Sequence, residues 1–525
     1  MRPRSLTNPI AGIPRELLAI CVLVAVLVAL PIGVTIVQAF HGGLSAISDA
    51  LRASSTPDLL LHTVLLAAVA TPAAAVIGVT GAWFVERTRL PGRQIWALLL
   101  VAPLTVPLFV TSYAWATLGQ PLQGFWGAAG IVAFSYYPIV YLLVAVALRG
   151  LDPALEETAR SLGLNARQTF FRVVLPQLRP ALLGGVLLVA LDSLVEFDAF
   201  VALRFRTFSS NIYAQYQLGF SSSGAAALSF ISIAICLVLL FGETRLRGNV
   251  NYTRVSQGAR RASTRYDLGR AMVPVLAVLG LVVAVSVGIP IAMLIKWFSE
   301  SSSAGISMAA ANTRYLFPAS VTSIELGLCS AALALVFAFP IAILAVRHSG
   351  PIVTVLERVT YLSFALPDIV AAIALSYAAS HYVPSVYGSF ALLVFAEAIL
   401  FVPFAIVAIR ATLGQIEPAL EDSARSLGSG PLQTLWRVTM PLARPGFVAA
   451  AVLVFAFVLG DLSTAQVLLP LNLYTLGTEF QANSSTVAFA AAAPFAAVLI
   501  VLAMAAAYVL MSRFGRVRTV GDGYG

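Results

Sequence analysis

Residues 152–180 read DPALEETARSLGLNARQTFFRVVLPQLRP, and residues 417–445 read EPALEDSARSLGSGPLQTLWRVTMPLARP. A shift of 265 positions, from 152 to 417, aligns the two stretches without a gap. The residues that recur are Pro153, Ala154, Leu155, Glu156, Ala159, Arg160, Ser161, Leu162, Gly163, Gln168, Thr169, Arg172, Val173, Pro176, Arg179 and Pro180. A repeat with a period of about half the chain indicates two copies of one structural unit.

Each copy predicts a helix, a tight turn and a second helix. Asp152 is suited to cap the first helix, and Pro153 is suited to its first position. Gly163 and Gly428 allow a left-handed turn without the steric cost of a Cβ atom. The second short helix is predicted to end at a proline in each copy, at Leu175-Pro176 and Met440-Pro441.

The composition excludes an ordinary soluble protein. Of the 525 residues 59% are hydrophobic and 10% are charged, and the mean hydropathy is +0.92. Apolar stretches of about 20 residues recur, the length that a helix needs to cross the hydrocarbon core of a bilayer. We therefore predict an all-α polytopic membrane protein of about twelve spans. They lie near 16–40, 61–85, 95–118, 127–148, from the first repeated stretch to about 203, 224–242, 271–297, 320–346, 359–380, 389–410, 446–469 and 487–511.

The basic residues predict the orientation. The formal net charge is +9, but the arginines concentrate in alternate loops, as expected where cytoplasmic loops are enriched in positive charge. With both termini in the cytoplasm, the basic residues on the outer side are Arg52, Arg204, Arg206, Lys296 and Arg314. The charge is thus explained by a bilayer, and no nucleic-acid partner is expected. Six spans per repeat give both halves the same orientation, a parallel repeat in a bacterial-type cytoplasmic membrane.

The repeat and the charge pattern together predict the domain organisation. A first six-helix unit covers residues 1–242 and contains a polar loop at 149–180. An arginine-rich cytoplasmic linker covers 243–270. A second six-helix unit covers 271–525 and contains the matching loop at 411–445.

No catalytic or cofactor site is predicted. The chain lacks the G-x-x-x-x-G-K-[ST] nucleotide-binding loop, and no Ser-His-Asp set or paired-carboxylate hydrolase site can be argued. Cys21, Cys236 and Cys329 are isolated in apolar runs, so they predict neither a disulfide nor a zinc framework. No metal ligand is assigned, and the chain is expected to be a transport channel rather than an enzyme.

Acidic residues inside predicted spans are the candidate pathway residues. Asp192 and Glu196 share a helix face in the fifth span, and Asp461, which is related to Glu196 by the same shift of 265, lies in the eleventh. A carboxylate at membrane depth is costly unless it faces a wet cavity or a partner, so such residues are functional candidates. The alternative is a structural role, by pairing or by protonation. Glu325, Asp368 and Glu397 lack a matched partner and carry less weight.

The repeated stretches resemble the cytoplasmic coupling motif of ABC-type importer permeases, Glu-Ala-Ala, three residues, then Gly. Here the motif reads Glu157-Thr158-Ala159 to Gly163 and Asp422-Ser423-Ala424 to Gly428, so it departs mildly from the family pattern. The resemblance implies that Glu157, Ala159, Gly163, Asp422, Ala424 and Gly428 couple the channel to two copies of a separate cytoplasmic ATPase. ATP and Mg would bind that ATPase, and an external solute-binding protein would deliver the solute.

Within that family, two fused units in one chain most resemble the ferric-iron permeases, on VEFDAFVALRFRTFSSNIYAQYQLGF (195–220) and VLGDLSTAQVLLP (458–470). Hard oxygen ligands suit ferric iron, but acids also suit other cations. Thiamine, polyamine and aminoethylphosphonate permeases are the alternatives within the family. An ion-gradient-driven secondary transporter is the alternative from another class, although it has no need of two coupling motifs.

Overall fold

The computed structural model describes residues 13–41, 48, 52, 56–151, 153–217, 222–247, 265–301 and 306–514. Within these residues the secondary structure is helical, apart from one isolated parallel bridge between Thr88 and Tyr266. The expected all-α fold is therefore confirmed. Most of the predicted linker, and Asp152, lie outside the described residues.

Nine helices among the described residues are long and apolar enough to cross a bilayer. They are Arg15–His41, Thr56–Arg87, Phe125–Arg149, Phe170–Val195, Gly269–Glu300, Arg314–Arg347, Phe390–Leu413, Pro431–Gly460 and Phe489–Leu510. A shorter apolar helix, Gly224–Leu239, lies at the position of the predicted sixth span. The protein is thus a polytopic helical membrane protein.

The remaining two predicted spans are broken rather than straight. Arg93–Thr105 and Leu108–Ala116 meet at 87°, and Pro351–Ser363 and Asp368–Tyr382 meet at 99°. The residue before each proline at the break is extended, Val106 at φ −102° and ψ 115°, Leu366 at φ −104° and ψ 117°. The cause is the clash between a proline ring and a helical preceding residue. The spans expected near 95–118 and 359–380 are therefore each a bent pair of helices.

The polar repeated stretches run directly into membrane helices. A π-helical turn, Phe170–Val174 or Leu435–Thr439, leads into the helices Leu175–Val195 and Met440–Gly460. The prediction that the second short helix ends at Leu175-Pro176 and Met440-Pro441 is wrong. Proline is tolerated in the first turn of a helix, and the wide turn before it accommodates its missing N–H.

The chain forms two compact units that differ from the halves of the sequence repeat. One unit groups Met1–His41 with Ser301–Gly525, and the other consists of Gly42–Glu300. In the first unit, Arg15–His41 packs against Pro351–Thr360 and Asp368–Tyr382. Each unit thus contains the first predicted span of the other sequence half.

Close helix packing in each unit depends on small residues. In the unit 42–300, a Cβ atom at Gly78 would lie 2.8 Å from the backbone oxygen of Tyr137. In the other unit, a Cβ atom at Gly446 would lie 2.5 Å from the Thr412 hydroxyl. The first contact joins Thr56–Arg87 to Phe125–Gly150. The second joins Met440–Gly460, which continues from the second repeated stretch, to Phe390–Leu413.

Candidate functional site: two coupling helices and two acidic helix breaks

The first half of each repeated stretch is a short helix ended by a glycine. We call Pro153–Ser161 the first coupling helix and Pro418–Ser426 the second coupling helix. Gly163 and Gly428 have φ angles of 86° and 91°, in the region that favours glycine, and a Cβ atom at either would meet no described atom within 4 Å. The predicted left-handed turns are confirmed, and conformation rather than space requires glycine there.

The same two hydrogen bonds close both turns. The N–H of Leu164 donates to the Ala159 carbonyl at 3.2 Å, and the N–H of Ser429 donates to the Ala424 carbonyl at 3.1 Å. The N–H of each glycine donates to the backbone carbonyl of the arginine three residues earlier, at 2.9 Å for Gly163 and 3.0 Å for Gly428. This is the Schellman arrangement, which satisfies carbonyl groups at a helix end.

The acids predicted from the motif point into solvent. Glu157 and Asp422 are exposed, whereas Ala159 is buried and Ala424 is partly buried. Exposed acids next to a small residue are available for a partner, and they contribute little to holding the helix on the membrane domain.

The residues before them, Glu156 and Glu421, hold the coupling helices in place. Arg87 lies 2.9 Å from Glu156, with side-chain exposures of 1% and 8%. Arg347 lies 2.7 Å from Glu421, with exposures of 18% and 10%. The two arginines end the membrane helices Thr56–Arg87 and Ile306–Arg347, so a buried ion pair ties each coupling helix to a span.

A hydroxyl group completes each ion pair, but its source differs. The Thr439 hydroxyl donates to Glu421 Oε1 at 3.0 Å, within the second repeat. The corresponding residue in the first repeat is Val174, and the Tyr266 hydroxyl donates instead to Glu156 Oε2 at 3.0 Å. Burial and the Glu156 carboxylate raise the pKa of the Tyr266 hydroxyl, so it remains a donor at neutral pH.

Three matched pairs of large apolar side chains are exposed on the repeated stretches. Leu162 is 78% exposed and its counterpart Leu427 is 87% exposed, next to the turn glycines. The other pairs are Leu155 with Leu420 and Phe171 with Trp436. Exposed apolar surface rimmed by polar residues is typical of a protein-interaction site. We call these six residues the apolar docking residues.

The acids of the first repeat lie at a helix break. Glu196 follows the last residue of Leu175–Val195, and one of its oxygens accepts the N–H of Ala199 at 3.0 Å. Its other oxygen accepts the Tyr136 hydroxyl at 3.3 Å, and Asp192 interacts with the same hydroxyl. The structure thus brings Asp192 and Glu196 together around Tyr136.

Asp461 occupies the equivalent break in the second repeat. It follows Met440–Gly460, and its carboxylate accepts the N–H groups of Ser463 and Thr464. Glu397, fully buried on Phe390–Leu413, lies within hydrogen-bonding distance of the Asp461 carboxyl group. The fifth and eleventh predicted spans therefore end at Val195 and Gly460, not near 203 and 469.

The two breaks share one local design. Ala199 and Thr464 are related by the shift of 265, and each donates its backbone N–H to the acid at its break. The acids thus stabilise the start of the short helices Asp198–Ala202 and Ser463–Leu468. Glu196 and Asp461 lie in different compact units, and within the described residues no group of three or more His, Cys, Asp and Glu could hold a metal ion.

Comparison with known proteins decides the family. Residues 41–250 and 338–516 match the family described as binding-protein-dependent transport system inner membrane component. The chain belongs to this family. The two matched segments contain the two coupling helices, which confirms that the chain carries two fused permease units. The family match favours the importer permease over the alternative of an ion-gradient-driven secondary transporter.

Relatives of this permease differ in how much of it they match. The Fe(3+)-transport system permease protein FbpB 2 of Haemophilus influenzae is 32% identical over 489 residues, 93% of this chain and 96% of that protein. The ferric transport system permease protein FbpB of Actinobacillus pleuropneumoniae is 26% identical over 64% of this chain and 50% of that protein. The sulfate transport system permease protein CysT of Salmonella typhimurium is 34% identical over 35% of this chain and 74% of that protein.

The family assignment gives the chain its general role. It is a multi-pass inner-membrane component of a transport system that works with a binding protein, and its relatives are transport permease subunits rather than enzymes. The two coupling helices repeat in sequence and carry polar, exposed side chains.

Sequence reasoning missed the residues that position the coupling helices. Glu156 and Glu421 are identical in the two copies, whereas Glu157 and Asp422 differ, and this identity was the available signal. Glu397 was given little weight because it lacked a matched partner. Tyr266 carried no signal, because its contact spans more than a hundred residues of sequence.

Proposed function

We propose that this permease translocates ferric iron, delivered by an external binding protein, in an ATP-driven importer. The observation that carries the proposal is the 32% identity to a ferric-iron permease over 93% of this chain and 96% of that relative. A match over both fused units distinguishes it from the match to the sulfate permease, which covers 35% of this chain.

The coupling helices support two copies of a cytoplasmic ABC ATPase as partners. Each repeated stretch presents exposed Leu and aromatic side chains at matched positions, with an exposed acid on its coupling helix. Two equal surfaces suit two equal subunits, and each docked ATPase would cover the apolar docking residues of one repeat. ATP and Mg would bind those subunits, and this chain would bind neither.

Movement of the coupling helices would reach the membrane acids directly. The helices Leu175–Val195 and Met440–Gly460 begin at the repeated stretches and end at Glu196 and Asp461. A rigid helix transmits displacement along its axis, so closure of the ATPase pair would shift both acidic breaks. Asp192, Glu196 and Asp461 are the pathway residues of this proposal, with both chain termini in the cytoplasm.

The test is reconstitution. The permease is purified from its native membranes together with the ATPase and the binding protein, and all three are reconstituted with liposomes. Uptake of radiolabelled ferric iron is then measured with ATP on the side of the liposome membrane that corresponds to the cytoplasm. We expect ATP-dependent iron uptake that excess thiamine, polyamine, aminoethylphosphonate or sulfate does not reduce. Uptake of one of those solutes in place of iron would overturn the proposed substrate assignment. If no ATPase is recovered with the permease, the proposal of an ATPase partner is overturned.

A further inference from the structure

The two coupling helices differ in what holds their buried glutamate. Among the described residues, Glu421 accepts a hydrogen bond from the hydroxyl of Thr439, the last residue of the π-helical turn in its own repeat. Glu156 accepts one from the hydroxyl of Tyr266, near the end of the linker. Val174 occupies the position of Thr439 in the first repeat, and its side chain has no hydroxyl to offer.

Tyr266 makes four further contacts, three with residues 83–89 at the end of the helix Thr56–Arg87 and one with the first coupling helix. Its N–H donates to the Arg87 carbonyl at 2.9 Å, and its carbonyl accepts the N–H of Arg89 at 3.0 Å. Its ring stacks on Trp83 with centroids 5.9 Å apart. The guanidinium carbon of Arg160, on the coupling helix itself, lies 4.3 Å from the centre of the ring.

The matching arginine of the second coupling helix has another partner. Arg425 lies 3.7 Å from Asp422, an exposed pair of the same helix. Such a pair contributes little, whereas a guanidinium over a partly desolvated ring adds a cation–π attraction. In addition to the ion pair of its glutamate, the first coupling helix is therefore held by Tyr266, near the end of the linker, and the second by Thr439 of its own repeat.

We propose that Tyr266 is a positioning residue for the first coupling helix, and that it sets how well the first ATPase docks while the second docks independently. The proposal rests on the proposed function, since it takes the coupling helices as the ATPase docking sites. The hydroxyl of Tyr266 holds Glu156 against Arg87, and the ring of Tyr266 holds Arg160. These contacts fix the orientation of the exposed helix face before a partner binds.

The first experiment needs no partner. Hydrogen–deuterium exchange of the purified permease is followed in the two coupling helices. Tyr266→Phe keeps the ring but removes the hydroxyl, and should speed exchange in Pro153–Ser161 by about tenfold, the factor for one hydrogen bond to a carboxylate. Exchange in Pro418–Ser426 should stay unchanged. Thr439→Val is the matched control and should give the reverse pattern.

A rescue variant separates the hydroxyl from general packing. Val174→Thr places a hydroxyl where Thr439 lies in the second repeat, and in the Tyr266→Phe chain it should restore slow exchange in the first coupling helix. Unchanged exchange in Tyr266→Phe, equal acceleration in both helices, or failure of the rescue in a chain with wild-type thermal stability would each overturn the proposal.

The second experiment follows docking at each site. Ser161→Cys and Ser426→Cys place matched exposed thiols on the two coupling helices, in a chain whose exposed Cys329 is replaced by Ser. The ABC ATPase recovered with the permease should protect both thiols from a maleimide, and Tyr266→Phe should reduce protection at position 161 alone. Equal protection at both positions in Tyr266→Phe would overturn the control of docking by Tyr266. If the ATPase protects neither thiol in the parent chain, the proposed function fails, while the exchange result stands by itself.

Discussion

The guanidinium of Arg347 lies 2.7 Å from the carboxylate of Glu421, and Arg87 and Glu156 repeat the relationship at 2.9 Å. In both cases the acid precedes the exposed residue of the coupling motif by one position. A helix places consecutive residues about 100° apart, so one acid faces the membrane domain and its neighbour faces solvent. The first acid of each adjacent pair, Glu156 or Glu421, thus holds the helix, and the second, Glu157 or Asp422, is exposed to a partner.

This separation predicts different effects of two neighbouring substitutions. Glu156→Gln leaves the buried Arg87 without a charge partner, and removing one member of a buried ion pair costs about 3–5 kcal/mol. Glu157→Gln changes an exposed residue, and surface changes usually stay within about 0.5 kcal/mol. Thermal unfolding of the purified permease in detergent measures both. Equal stability of the two variants would contradict the assignment of Glu156 as the anchor.

The exposed acids should matter for docking instead. Glu157→Ala and Asp422→Ala remove charge from the surface beside the apolar docking residues. We expect each variant to insert and unfold like the parent but to transport less. The amount of ATPase that co-purifies and the rate of uptake are the measurements. Glu300→Ala, which removes an exposed acid paired with Lys296 at the far end of Gly269–Glu300, is the control and should leave both unchanged.

The turn glycines make a further prediction. Val at positions 163 and 428 would have to adopt a φ near 90°, and a left-handed conformation costs a non-glycine residue about 1–2 kcal/mol. Gly163→Val with Gly428→Val should therefore distort both turns and reduce ATPase co-purification. Gly430→Ala is the control, because Gly430 has a φ of −64° and no atom within 4 Å of a Cβ. Full transport by the double variant would show that these turns are not needed.

The acidic helix breaks allow a test between pathway and packing. Glu196→Gln and Asp461→Asn remove the charge but keep an oxygen that accepts the N–H of Ala199 or Thr464. If the charge serves the pathway, folded yield and ATPase binding stay normal and uptake of radiolabelled ferric iron falls. If uptake is unchanged, or falls only with the amount of protein, the acids act as helix caps alone. Tyr136→Phe is the companion variant, since it removes a hydrogen bond to Glu196 without changing any charge.

The orientation is tested with reporters. The excess of arginine in alternate loops predicts that a reporter inserted in the 243–270 linker, or placed after the C-terminal tail, lies in the cytoplasm. A reporter near residue 305 should lie outside. An external linker would contradict both the parallel arrangement and the proposed place of ATPase docking.

Local patterns predicted the parts of this fold that depend on neighbouring residues. The left-handed turns at Gly163 and Gly428 follow from glycine after a capped helix, and the helical class follows from apolar length. The breaks before Pro107 and Pro367 are local too, since a proline inside an apolar span favours a kink. Composition does not give the size of the bend, because a bent pair of helices has the same composition as a straight one.

Contacts between distant residues were out of reach. Arg87 and Glu156 lie 69 positions apart in the sequence, and Glu156 and Tyr266 lie 110 apart. Nothing near Tyr266 marks it as a partner of a coupling helix. Glu397 was given little weight for a related reason. It has no matched acid in the first repeat, and the sequence did not show that it lies buried next to Asp461.

The grouping of Arg15–His41 with Ser301–Gly525 has a consequence for biosynthesis. The helices on which Arg15–His41 packs, Pro351–Thr360 and Asp368–Tyr382, leave the ribosome about 300 residues later, or roughly 15–60 s later at about 5–20 residues per second. The first helix must wait in the bilayer while the unit 42–300 is made. A chain cut within the linker would give two fragments, each with a leading helix whose neighbours belong to the other, so the linker secures the delivery of both helices during translation.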